Sequence, residues 1–155
     1  MVPLKKKVKI KPKKPKVVMV SGGFDPVHDS HLRMFQEAKS LGDKLLVVIN
    51  SDEWLKRKKG QSFMSSPDRE EIIKGFECVD YTYVLKSNRD DVGEAIELFK
   101  PNIFANGGDR KAPKDIPESE ICKKYGVKMV FNIGHGGKVR SSSELLKKYS
   151  KRIKR

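Results

Sequence analysis

Cysteine is scarce in this chain. Only Cys78 and Cys122 occur among 155 residues, far apart and outside any Cys-x-x-Cys or Cys/His ligand spacing. That argues against a disulfide framework and against a structural zinc site, and it fits a reducing compartment. No apolar run approaches the roughly 18 residues needed to span a bilayer, and the lysine-rich N-terminus lacks the apolar stretch of a secretory signal. These absences point to a soluble, cytoplasmic protein. Acidic residues are missing from both ends. Residues 1–16 carry eight lysines and residues 147–155 six more basic side chains, neither with an acid. Taking those eight and six from the 34 basic residues leaves 20 against 20 acidic ones, so the net charge of +14 belongs to the ends and the body is neutral. A charge located this way suits weak, salt-dependent contact of the tails with nucleic acid or an anionic surface.

Residues 1–16 combine self-repelling charge with three prolines and almost nothing to bury, which predicts a disordered basic arm. From Val17 the pattern changes. Residues 17–23, VVMVSGG, are an apolar β-branched run ending in glycines. Residues 30–41 then space Leu32, Phe35, Ala38 and Leu41 for one helix face, and LLVVIN at 45–50 reads as a strand covered on both faces. Helices are predicted near 67–77, 92–99, 118–125 and from about 142, and strands near 81–85, 102–105 and 127–132. Five strands alternating with helices imply a Rossmann-like, doubly wound α/β fold with a parallel sheet and helices on both faces. The domain is expected over 17–149, with a basic tail at 150–155. Ligands of such sheets bind beyond the carboxyl ends of the strands, where the glycine- and histidine-bearing loops fall.

The turn after the first strand reads GGFDPVHDSH, residues 22–31. Gly22 and Gly23 let the backbone approach a ligand without a Cβ in the way. His28 and His31, at i and i+3, open a helix beside its unsatisfied N–H groups, a place suited to phosphate. A bare His-x-x-His is more often a surface or metal-binding pair, but a preceding strand, double glycine and Phe-Asp reverse that balance. The segment resembles the Gly-x-Phe-Asp-x-x-His-x-Gly-His signature of the cytidylyltransferase-like nucleotidylyltransferases, with Ser30 in place of the glycine between the histidines and Asp29 beside the expected phosphate site.

The resemblance extends through four later stretches. INSDEWLKRKKG at 49–60 is closest to the second strand, short helix and basic loop of the ADP-heptose synthase adenylyltransferase domain, where a lysine faces phosphate. Lys56 and Lys59 take that role here, with at least two of the four basic side chains at 56–59 expected to be solvated surface charges. PDREEII at 67–73 resembles the helix whose arginine reaches the active site, here Arg69. NGGDRKA at 106–112 resembles the Gly-Gly-Asp loop bordering base and ribose, which brings in Asn106, Gly107, Gly108 and Asp109. KVRSSSELLKK at 138–148 resembles the hydroxyl-rich segment that holds the β- and γ-phosphates, here Ser141, Ser142 and Ser143, and the same serines suit an N-cap with Glu144 completing a capping box.

The resemblance implies attack of a substrate phosphate on the α-phosphorus of a nucleoside triphosphate, with pyrophosphate leaving. It assigns His28 and His31 to the α-phosphate, Lys56 or Lys59 and Arg69 to phosphate charge, and Gly22, Gly23, Phe24 and Asp25 to the nucleotide turn. Mg²⁺ bound through the triphosphate, a small phosphorylated substrate and a homodimer are implied likewise. ATP and a sugar 1-phosphate such as heptose 1-phosphate fit the motif set best. A glycerol-phosphate or phosphoethanolamine cytidylyltransferase using CTP is the alternative. A third reading, from another class, is a decayed enzyme that serves as a basic nucleic-acid- or membrane-binding protein.

Overall fold

A computed structural model describes residues 11–107, 116–134 and 141–153. Its element order is β1 (Val17–Gly22), α1 (Asp29–Ser40), β2 (Lys44–Ile49), α2 (Asp52–Lys59), α3 (Ser66–Lys74), β3 (Tyr81–Val84), α4 (Gly93–Phe99), β4 (Ile103–Gly107), α5 (Ser119–Tyr125), β5 (Lys128–Ile133) and α6 (Ser142–Ile153). The strands form one sheet in the order β3-β2-β1-β4-β5, and every pairing is parallel. The expected five-stranded Rossmann-like architecture is what the chain adopts. β1 runs beside β2 from Val17↔Lys44 to Gly22↔Ile49 and meets β4 at Val18↔Ile103 and Met19↔Phe104. The chain winds outward from β1 to β3, crosses back to β4, and winds outward again. The reversal between β1 and β4 is the topological switch point at which such sheets bind ligands.

Because successive strand residues face opposite sides, the apolar runs feed two cores. Val18, Val20, Leu45, Val47 and Ile49 pack with Phe35 and Ala38 of α1 and Ile73 of α3, whereas Met19, Leu46, Val48 and Phe104 pack with Ala95 and Ile96 of α4 and Cys122 of α5. Truncating a fully buried side chain such as Phe35 is expected to cost about 3–5 kcal/mol. At the amino ends of the strands the Asp80 carboxylate bonds the Lys39 ammonium and accepts the Leu45 N–H at 2.7 Å. Burial opposes the Asp80 charge, but Lys39 and that N–H outweigh it and hold the carboxyl below its ordinary value.

Several boundaries differ from the sequence reading. α3 stops at Lys74 because Gly75 caps it, short of residue 77. β4 continues two residues beyond 105, through Gly107. α6, expected from about 142, starts at Ser142 and runs to Ile153, where Leu145, Leu146, Tyr149 and Ile153 keep one helical stripe with no proline or glycine to break it. Residues 11–16 are exposed and without regular structure, and the arm is tied down at Lys16, whose N–H donates to Asp43 at 2.7 Å. No helix among the described residues is long and apolar enough to cross a membrane.

Candidate active site

The turn between β1 and α1 is fixed from below before it presents anything above. A Cβ on Gly22 would lie 2.9 Å from ring carbons of Phe24, too close without a shift of that ring, and one on Gly23 would lie 3.1 Å from Leu55, a tight contact. Phe24, at φ 53°, folds its ring back over Gly22 and meets His31 edge-on at 5.0 Å and Phe35 at 5.2 Å. At 4% exposure the ring of Phe24 is a buried prop behind His31. Asp25 is buried as well. Its carboxylate, 3% exposed, accepts the backbone N–H groups of Phe63 at 2.7 Å and Met64 at 2.6 Å. It fastens the loop between α2 and α3 to the turn.

His28 is the N-cap of α1, with extended backbone, and its Nδ1 accepts the Ser30 N–H at 3.3 Å. His31 returns the favour, its Nδ1 accepting the His28 N–H at 3.2 Å, so the pair makes a reciprocal capping box with ring centroids 4.0 Å apart. A ring nitrogen that accepts an N–H carries no proton, so each neutral imidazole holds its proton on Nε2 and is a donor there. The serine that replaces the signature glycine does not disturb this. Position 30 is already helical and supplies only its backbone N–H to the cap. Asp29 is exposed, and its carboxylate lies 3.6 Å from Arg33 one turn along the helix.

Arg69 was expected to reach phosphate. Instead its side chain is fully buried. Nε donates to the Met64 carbonyl at 3.1 Å, Nη1 to those of Gly23 at 2.6 Å and Asn50 at 2.8 Å, and Nη2 to the Asp52 carboxylate at 2.8 Å. The guanidinium fork joins the ends of β1 and β2, the start of α2 and the loop before α3, which makes it a positioning residue. Burial raises the cost of charge on Asp52, yet the Arg69 hydrogen bond and the Ser66 contacts hold its carboxyl below the usual value.

The basic end of α2 divides in two. Arg57 lies 3.2 Å from the Asn88 carbonyl and 3.4 Å from Asp90, and Lys58 lies 3.4 Å from Asp90, all on the loop after β3. Lys56 and Lys59 are exposed and form no ion pair among the described residues. Gly60, at φ 85°, ends the helix there.

On the other side of β1, Asn106 is 5% exposed and turns its amide N–H back to the Phe104 carbonyl at 3.3 Å. Gly107 closes β4 where a Cβ would stand 3.1 Å from Met34 Sδ. Gly108 and Asp109 lie outside the described residues. Ser141 caps α6, its Oγ accepting the Glu144 N–H at 3.1 Å. Ser142, buried, donates its hydroxyl to the Pro26 carbonyl at 2.8 Å across 116 residues of sequence, and Ser143 is exposed. That bond seats the start of α6 against the turn that starts α1, so two helix N-termini, each favourable to anions, adjoin. Among the described residues no three His, Cys, Asp or Glu side chains converge as a metal site.

Sequence reasoning missed Asn50, Asp52 and Met64. The Asn-Ser-Asp stretch carried a signal for the first two, and nothing local marks a backbone carbonyl as an arginine acceptor.

The family model described as cytidylyltransferase-like matches residues 19–137. The chain is 38% identical to the Bifunctional protein HldE of Nitratiruptor sp. over 111 residues, covering 70% of this chain and 23% of that protein. It is 37% identical to the protein of that name from Helicobacter pylori over 122 residues, covering 77% and 26% respectively. The chain thus spans about a quarter of the length of these curated relatives. Among solved structures it resembles a lipopolysaccharide core biosynthesis protein from Thermoplasma volcanium, with TM-score 0.68 and 28% identity, covering 78% of this chain and 98% of that one. The chain belongs to the cytidylyltransferase-like family and is a nucleotidylyltransferase.

Proposed function

We propose that the chain transfers an adenylyl group from ATP to a phosphorylated sugar of the heptose 1-phosphate type. The reading is carried by one observation: the His28–His31 capping box adjoins the capped start of α6 through the Ser142–Pro26 bond. An acceptor phosphate oxygen attacks the α-phosphorus, the bond to the β-phosphate breaks, and pyrophosphate departs. His28 and His31 donate to the α-phosphate as its charge builds. The N–H groups and hydroxyls at Ser141 and Ser143 receive the leaving pyrophosphate, while Ser142 holds α6 in place. Lys59 and Lys56 neutralise the incoming phosphate. Mg²⁺ carried on the triphosphate supplies further charge neutralisation.

ATP over CTP, and a sugar over glycerol phosphate or phosphoethanolamine, are supported by the Asn-Ser-Asp and Lys-Gly stretches and by relatives named HldE at 37–38% identity. A pyrophosphate-release screen of ATP and CTP against sugar 1-phosphates, glycerol 3-phosphate and phosphoethanolamine tests it. Turnover is expected with ATP and a sugar 1-phosphate. Turnover with CTP and a polyol or amine phosphate alone would move the chain to the cytidylyltransferase branch.

A further inference from the structure

Trp54 is the chain's sole tryptophan and stands in the first turn of α2, where its N–H is capped by Ser51 Oγ at 3.1 Å. Its Cζ3 lies 4.0 Å from the point a Cβ would occupy on Gly23, which puts the indole against the flank of the turn after β1. The side chain is partly buried. Its Nε1 is fully buried and has no hydrogen-bond partner among the described residues. Buried indole N–H groups normally find an acceptor, and one left without it needs an explanation.

The strand order supplies one. α2 follows β2 and α6 follows β5, and these two strands lie on opposite sides of β1. If pyrophosphate leaves toward the start of α6, as proposed above, in-line displacement brings the attacking phosphate from the opposite flank. That flank is the one on which Lys56, Lys59 and Trp54 stand. We propose that Trp54 is a specificity residue for the acceptor, donating its indole N–H to an oxygen of a hydroxyl-rich phosphate monoester and offering its ring to the C–H face of that molecule. A lone N–H donor calls for an oxygen acceptor, which a hydroxyl-rich phosphate monoester offers along its whole length and an aminoalcohol phosphate offers only at its phosphate end.

The inference rests on the acceptor side of the proposed reaction, and its test separates the two. With the full-length chain, intrinsic fluorescence reports Trp54 alone. Titration with glucose 1-phosphate, mannose 1-phosphate and glycerol 3-phosphate, without nucleotide, is expected to give a saturable emission change for at least one. Trp54→Phe, which keeps a ring and removes the N–H, is expected to raise the acceptor KM about tenfold while the ATP KM moves less than about twofold. Emission that responds without any transfer would keep the site and sink the reaction. Transfer with flat emission and an unchanged acceptor KM in Trp54→Phe would sink the role of Trp54 and keep the reaction. A lowered melting temperature with both KM values unchanged would show that the N–H has a structural partner and would overturn the proposal, and flat emission without transfer across the whole panel would overturn both.

Discussion

The turn after β1 and the basic end of α2 both carry signature residues, but they are built in opposite ways. In the turn, Gly22, Phe24 and Asp25 are buried or crowded, and Arg69 and Ser142 arrive from distant segments to bind its carbonyls directly. At the end of α2, four cations stand in a row on an exposed helix, and a loop carbonyl and Asp90 hold only two of them. The contrast shows that a motif mixes residues that hold a shape with residues that meet a substrate. Burial and hydrogen-bond saturation tell them apart.

Substitution should expose that difference as loss of stability in one class and loss of turnover in the other. The largest effect is expected from Arg69→Met, which leaves Asp52 and three carbonyls without their donor and should lower unfolding stability by about 3–5 kcal/mol in urea titrations. Arg69→Lys should recover little, since one ammonium cannot span acceptors set out for a planar fork. His31→Ala removes half of the capping box and, with it, an α-phosphate donor of the proposed reaction. It should cut turnover by about a thousandfold while the far-ultraviolet dichroism of the fold persists, and near-normal turnover would end the histidine assignment. Lys59→Ala should lower kcat/KM by about tenfold, against less than about twofold for Lys58→Ala, and equal effects would erase the division within α2.

A smaller effect separates the classes by pH. Asp52 and Asp80 have carboxyls held below their ordinary value of 3.8, so the stability they add is complete above that value and is lost as pH falls through their lower folded values. Urea midpoints should therefore fall below about pH 4, and Asp52→Asn should flatten part of that slope. An Asp52→Asn slope identical to wild type would show that the Arg69 network carries no such linkage.

Much of the fold was legible because it rests on local periodicity. LLVVIN reads as a two-faced buried strand because Leu45, Leu46, Val47, Val48 and Ile49 do feed both cores. The helix start at His28 was legible for a similar reason, since a cap is a matter of neighbouring residues. The division of labour in the site was not. Asp25 meets Phe63 and Met64 across 38 and 39 residues, Arg69 meets Gly23 across 46, and Ser142 meets Pro26 across 116. Such bonds leave no repeat in the sequence, so Arg69 and Asp25 read as ligand residues when they are internal ties.

The reciprocal cap between His28 and His31 has a consequence for the entropy of the reaction. Each imidazole is immobilised by the other's backbone or by the first turn of its helix, so neither has rotamers to lose when a phosphate arrives. Ordering a side chain on binding otherwise costs about 0.5–1.5 kcal/mol. Here that cost falls on folding, and the first turn of α1 has already met it.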